Sequence, residues 1–372
     1  MKNIYIPVVL VIFLLPFLTQ GQNTQYQIIK SKSQPLTDLL NNYQMPPHRT
    51  CGTMDYLKME IEANPQREFQ LRELDKWTEE WIKNNEDYIN NSKTVITIPV
   101  VVHVVYNTPQ QNISDAQINS QIAILNQDYR NTNSDGGSTP SVFQSLRADV
   151  EVEFCLATVD PSGNTTTGIT RTQTSQTSFQ MTNNAVKYTA QGGHDIWDRN
   201  KYLNIWVCNL AGGMLGYAQF PGGTAATDGV VILYTAFGNM GTAQSPYNKG
   251  RSATHEIGHW LNLYHIWGDD NGQCTGDDQV SDTPNSGDCY YGCPSFPQTS
   301  CSSQNMTMNY MDYVDDACMY LFTREILMRK RHRIGDRPMM FEIPAIEAQD
   351  IDDETEFNIT EMLMKLRQQG KL

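Results

Sequence analysis

At 372 residues the chain is long enough for one large domain or two, with a substantial core. Its formal net charge of −14 at pH 7 argues against nucleic acid and against an anionic membrane surface as partners. The same charge suits a protein that binds calcium or draws in basic peptides.

Residues 1–21 read as a signal peptide. Lys2 supplies a weak positive start, Ile4 to Leu18 is almost entirely apolar, and Thr19-Gln20-Gly21 offers small residues for cleavage. The apolar run is short for a membrane anchor and is broken by Pro7 and Pro16. No cysteine follows it to carry a lipid, and no later stretch is long and apolar enough to cross a bilayer. The expectation is a secreted, extracellular protein with no membrane contact once the signal is cut. Export makes disulfides the default for Cys51, Cys155, Cys208, Cys274, Cys289, Cys293, Cys301 and Cys318.

Beyond the signal the chain is polar and mixed, with helical composition from Met54 to Lys83 and one break at Pro65. Arg49-Thr50-Cys51-Gly52-Thr53 precedes those helices, far from every other cysteine. Cys51 is either the disulfide partner of a distant cysteine or a latency switch, its thiolate filling a zinc position until the segment is cut away. Val95 to Tyr106 is a β-branched run that predicts a buried strand, and His103 within it is expected to be packed rather than metal-bound. Ser114 to Tyr129 predicts an amphipathic helix, with Ser114 as N-cap, Gln117 in capping-box position, and Ile118, Ile122 and Leu125 facing inward. Asp149 to Val159 and Leu203 to Leu210 read as strands, in which Cys155 and Cys208 either pair or stay thiols. The glycine-rich Gly212 to Pro221 precedes another strand at Gly229 to Tyr234. It forms a simple hairpin or a sheet edge to which an extended peptide can add itself.

His255-Glu256-Ile257-Gly258-His259 sets two imidazoles one turn apart on one helical face, where both can grip a zinc ion. Glu256 lies at the edge of that face, placed to polarise a zinc-bound water. His265 comes six residues after His259, so the chain must turn near Asn262, a residue that tolerates positive φ. Three neutral imidazoles and an open fourth position describe a catalytic zinc, since a structural site would be closed by a fourth protein ligand. Downstream, Asp269, Asp270, Asp277, Asp278 and Asp282 offer hard oxygen ligands suited to calcium. Met308-Asn309-Tyr310-Met311-Asp312-Tyr313 follows, and then a basic stretch from Thr323 to Arg337 gives way to acidic residues from Glu342 to Glu356.

The zinc stretch, Gly216 to Gly223, Ser281-Asp282-Thr283-Pro284 and Met308 to Cys318 together resemble the metzincin zinc peptidases and, within them, the pappalysin family. One departure is Asn262, where the metzincin pattern has Gly. The resemblance implies an α+β fold, with a twisted mixed sheet and two main helices in an upper subdomain (95–265) and a loop-rich, disulfide-linked lower subdomain (266–335). A propeptide (22–94) would precede them and a divergent C-terminal tail (336–372) would follow. The implied function is a secreted zinc endopeptidase, made as a latent zymogen and acting on protein or peptide substrates. A catalytically impaired, calcium-stabilised binding module of the same fold is the alternative, and the intact Glu256 argues against it.

By the same resemblance, one catalytic zinc would sit on His255, His259 and His265, and on Cys51 as well in the latent form, since related zymogens carry a similar Arg-x-Cys-Gly element. Glu256 would act as general base on the zinc-bound water, Tyr313 would steady the oxyanion, and Met311 would pack under the ligands. Gly216, Tyr217 and Ala218 would bind substrate at the sheet edge. The resemblance also implies disulfides Cys274–Cys301 and Cys293–Cys318, and calcium around Val280, Asp282 and Thr283. Relatives often favour a basic residue just after the scissile bond, and Asp315 and Asp316 are candidates to match it, although Ala317 interrupts that acidic run.

Overall fold

The computed structural model describes residues 48–84, 95–270 and 272–323. The signal peptide at 1–21, the boundary at residue 94, the end of the lower subdomain beyond residue 323 and the tail at 336–372 lie outside the described residues. Two helices, α1 (Thr53–Ala63) and α2 (Gln66–Asn84), come first and are separated at Pro65, as the sequence predicts. The strand β1 (Ile96–Tyr106) then opens a six-stranded sheet. Val100 to Val105 are buried at successive positions, so both faces of β1 are covered, and that explains its unbroken apolar run.

The helix α3 (Asp115–Tyr129) begins where Ser114 Oγ accepts the Gln117 N–H at 3.2 Å. The capping box is only half made, because the Gln117 side chain instead donates to the carbonyls of Phe237 and Tyr234. Ile118, Ile122, Leu125 and Tyr129 form the buried stripe of α3. The remaining sheet strands are β2 (Val152–Leu156), β3 (Ile169–Gln173), β4 (Leu203–Cys208), β5 (Gly216–Ala218) and β6 (Val230–Leu233). Their order is β2-β1-β4-β6-β5, with β3 pairing the far end of β1. All pairs are parallel except β5 with β6, so the sheet is mixed and its one reversed strand lies at an edge.

Strand β2 is shorter than the sequence predicts. Asp149 Oδ1 accepts the Glu151 N–H at 2.7 Å and Glu151 adopts φ 55°, a local turn that delays strand entry to Val152. Cys155 and Cys208 do not pair. They lie on β2 and β4, with β1 between them and opposite its two ends, Cys155 facing Pro99 and Cys208 following the Val207 that faces Val104, so they are beyond disulfide reach. His103 is a core residue, hydrogen-bonded to Thr170 Oγ1 at 2.8 Å and Asn204 Oδ1 at 3.0 Å.

The helix α4 (Arg251–Trp260) is buried along its whole length. Asp316 accepts the N–H groups of Lys249 and Arg251 at its N-terminus, at 2.7 and 3.2 Å, where a carboxylate complements the helix dipole. After α4 the chain is mostly loop, apart from the short pair β7 (Thr299–Ser300) and β8 (Ser303–Gln304). Disulfides Cys274–Cys301 and Cys293–Cys318 cross-link these loops. The family fold expected from the sequence, a mixed sheet with two main helices above a disulfide-linked loop region, is the fold observed.

Arg251 ties these layers together. Its guanidinium pairs with Asp135 at 2.6 Å and Asp128 at 3.5 Å, and donates to the Asp316 carbonyl at 2.8 Å. Arg251→Ala would leave the buried Asp128 without a cationic partner. Its expected effect is a loss of about 3–5 kcal/mol of unfolding free energy, read from denaturant midpoints; a change below about 1 kcal/mol would show that the network carries no stability.

Candidate metal centre

The position of His265 is set by how α4 ends. Asn262 adopts φ 76°, its N–H donates to the His259 carbonyl at 2.8 Å, and the Leu263 N–H donates to the Gly258 carbonyl at 3.0 Å. This pair of bonds is a Schellman cap with a left-handed residue at its corner. It reverses the chain and returns His265 to the face of α4 that carries His255 and His259.

Each of the three imidazoles is held from behind. His255 Nδ1 donates to the Tyr310 carbonyl at 2.7 Å, His259 Nδ1 to the Leu263 carbonyl at 2.7 Å, and His265 Nδ1 to the Asp269 carboxylate at 2.9 Å. Carbonyl and carboxylate oxygens only accept, so each Nδ1 carries the proton and each Nε2 carries a lone pair. Those lone pairs converge. His259 Nε2 lies 3.1 Å from His255 Nε2 and 3.1 Å from His265 Nε2.

Two unprotonated nitrogens repel at that distance unless a cation lies among them. Ligands of a tetrahedral zinc ion, bound at about 2.0–2.1 Å, stand a little over 3 Å apart, so the donor set fits zinc. Burial and then the neighbouring imidazoles hold His255 and His259 well below the usual histidine range, which keeps them neutral. The Cys51 sulfur completes the cluster, with all four ligand atoms within 4.8 Å of one another. Among the described residues this is the one group of three or more His, Cys, Asp or Glu side chains able to hold a metal.

Glu256 points its Oε2 at this group. It accepts from the Thr53 hydroxyl at 2.8 Å and from the Cys51 thiol at 3.4 Å, and burial pushes its pKa up to about 7. Met311 packs against α4 at Gly258: a Cβ added there would stand 2.5 Å from its sulfur, so glycine at this position lets helix and thioether approach this closely. Asn309 Oδ1 holds the turn by accepting the Met311 N–H at 2.9 Å. The Tyr313 ring packs edge-on against His265 at 4.9 Å and against Trp267 at 4.8 Å, while Trp267 stacks on His265 at 4.2 Å.

Gly216, Tyr217 and Ala218 form the edge strand β5, and the segment containing Cys51 covers them. The Leu215 N–H donates to the Thr50 carbonyl and the Gly52 N–H to the Gly216 carbonyl, both at 2.9 Å, while the Ala218 N–H donates to Thr53 Oγ1 at 2.8 Å. Just before Cys51, Arg49 is buried in a pocket of its own. It pairs with Asp316 at 2.6 Å, donates to the Val314 carbonyl at 3.1 Å and to Ser252 Oγ at 3.2 Å, and lies over the Tyr247 ring.

Some sequence expectations are placed differently. Asp269, grouped by sequence with possible calcium ligands, hydrogen-bonds His265 instead; its position four residues after a candidate metal-ligating histidine was the available signal. Asp270 accepts the N–H groups of Gln273, Thr275 and Gly276 and organises its own loop. Val280, Asp282 and Thr283 share one turn, closed by the Thr283 N–H on the Val280 carbonyl at 3.2 Å. Thr53, which holds Glu256, carried no signal in the sequence.

A peptidase family model described as Pregnancy-associated plasma protein-A matches residues 187–334. An extracellular metalloprotease of Podospora anserina is 31% identical over 286 residues, covering 73% of this chain and 84% of that protein. Mature mirolysin of Tannerella forsythia in complex with a cleaved peptide is 53% identical with a TM-score of 0.65, over 67% of this chain and 96% of that one. A promirolysin mutant of the same organism is 48% identical with a TM-score of 0.69, over 78% of this chain and 95% of that one.

The carboxylate behind His265 yields a direct expectation. Asp269→Ala is expected to weaken zinc binding about 10–100-fold in competition with a chromogenic chelator. Unchanged affinity would mean that this carboxylate does not tune the ligand.

Proposed function

Since this chain belongs to the pappalysin family of metzincins and is a metallopeptidase, we propose that it is an exported zinc endopeptidase held latent by its own segment at 48–84. The observation that carries the reading is the convergence of three imidazole lone pairs beside a buried carboxylate. His255, His259 and His265 would hold one zinc, with Cys51 as a fourth ligand in the latent form. Zinc, when bound, makes water acidic enough to be deprotonated near neutral pH and polarises a carbonyl.

The rest is the work of the chain's own groups. Glu256 accepts the proton of the attacking water at Oε2, the oxygen that Thr53 and Cys51 occupy here, and later delivers it to the leaving amine. A group that must take and then give a proton works best with a pKa near the operating pH, and burial has moved Glu256 toward that value. The Tyr313 hydroxyl steadies the negative charge that develops on the carbonyl oxygen. Met311 keeps the ligands' orientation by packing. The β5 edge at Gly216 to Ala218 pairs with the substrate backbone, which explains why a segment paired to it blocks access.

Three blocks support latency: Cys51 at the ligand cluster, Thr53 on the base, and residues 50–53 along the edge. The propeptide (22–94) and catalytic (95–335) boundaries, the signal at 1–21 and export belong to this proposal, supported by relatives described as extracellular. Among the described residues no helix is long and apolar enough to cross a membrane. Calcium around Val280, Asp282 and Thr283 also remains part of the proposal, tested by whether calcium raises the melting temperature. The pocket that buries Arg49 on Asp316 supports a preference for a basic side chain beside the scissile bond.

Glu256→Ala should retain one zinc per chain and lose at least about 10²–10⁴-fold in cleavage rate. Wild-type turnover in that variant would sink the mechanism. In a random peptide library, protein freed of residues 1–94 should enrich Arg or Lys at one position flanking the cut; a flat profile there would remove the proposed role of the Arg49 pocket.

A further inference from the structure

One face of α2 carries a cation, an apolar side chain and an anion at four-residue intervals: Arg67, Leu71 and Asp75. That spacing sets them in one row along the helix. All three are buried, at 4%, 7% and 8% exposure. The row meets a matching row on the body of the protein. Arg67 donates through Nη1 and Nη2 to the carbonyls of Pro221 and Phe220, at 2.8 and 3.0 Å. Leu71 shares an apolar cluster with Phe220, against which Tyr264 also packs, stacked on the Phe220 ring at 5.1 Å. Asp75 accepts from Asn262 Nδ2 at 2.8 Å and from the Tyr264 hydroxyl at 3.1 Å.

The body thus presents acceptors, an apolar platform and donors in the order that suits the helix. Its use of Asn262 is informative. Glycine would make the left-handed turn after α4 at less steric cost but would have no side-chain donor to offer Asp75. The departure from the metzincin pattern supplies a hydrogen bond that holds the far end of the row.

None of these contacts involves Cys51 or the metal-facing nitrogens. We propose that Phe220, Asn262 and Tyr264 form a helix-docking surface that binds α2 independently of the Cys51–histidine cluster. This rests on the reading of residues 48–84 as a latency segment. The partner it fits is an amphipathic helix with a basic, an apolar and an acidic residue at i, i+4 and i+8. In this chain the occupant is α2, so a cut after Asn84 leaves the N-terminal fragment in place as a non-covalent inhibitor. Release is a second step, governed by this surface.

The test places a site for a sequence-specific protease between Asn84 and Thr97 of the full chain and follows the mass of the cut protein by size-exclusion chromatography with light scattering. The fragment is expected to stay with the body, in the Cys51→Ala variant as well, and to leave at least ten times faster in Asp75→Ala and Leu71→Ala. Both substituted residues depart with the fragment, so the released body is identical in these two variants and the wild type. Mass is read rather than hydrolysis, so the peptidase reading can fail while the docking surface holds, and the reverse. Prompt loss of the fragment from the cut wild-type or Cys51→Ala protein overturns the proposal. So does an Asp75→Ala fragment that leaves no faster than wild type. Should Asp75→Ala disturb folding, Tyr264→Phe removes a donor from the opposite side, and the same ten-fold change decides.

Discussion

The structure depends on holding three imidazole lone pairs together, with those of His255 and His265 each carried on a nitrogen 3.1 Å from His259 Nε2. Such a cluster does not assemble by attraction; it must be enforced from outside. The enforcing groups come from three different places: a carbonyl in the turn that contains Met311, a carbonyl exposed by the cap of α4, and a carboxylate in the loop after it. Each is in turn fixed by something else. Asn309 and Asp312 shape the first turn, Asn262 makes the cap, and Gly258 lets the Met311 thioether approach the helix. Rigid support behind the ligands is what allows the site to be organised for a metal, in keeping with the role of outer contacts in tuning ligand orientation.

The segment before α1 fits this site at close range. Gly52 lets the segment pass close to two methionines, since an added Cβ would stand 2.7 Å from the Met181 sulfur and 2.8 Å from the Met214 sulfur. Next to it, Thr53 accepts from Ala218 and donates to Glu256, so one hydroxyl joins the sheet edge to the buried carboxylate. Arg49 meanwhile brings a guanidinium to Asp316, which already caps α4. Sheet edge, buried carboxylate and histidine cluster are therefore covered by residues 50–53.

Much of this was legible in the sequence because the metal site is built from local spacing. His255 and His259 share a helical face by periodicity alone, and the need for a turn at Asn262 follows from where His265 must return. The pairing Cys274–Cys301 and Cys293–Cys318 came from the family resemblance and not from spacing. What stayed hidden depends on contacts distant in sequence. Thr53 on Glu256, Asp75 on Asn262 and Arg49 on Asp316 each join residues roughly two hundred or more positions apart, which no local pattern encodes. The truncated start of β2 was missed for the opposite reason, since a single Asp149 side chain overrode the strand propensity of its neighbours.

The edge strand β5 has a further consequence. A three-residue strand at the margin of a mixed sheet leaves backbone groups that can template another chain, and proteins generally shield such margins against self-association. Here Leu215, Gly216 and Ala218 have their outward groups engaged by residues 50–53 of the same chain. The sheet therefore reaches its folded state with that margin closed. Removing the covering segment would leave those edge groups unpaired, and an uncovered edge of this kind is a general route to self-association.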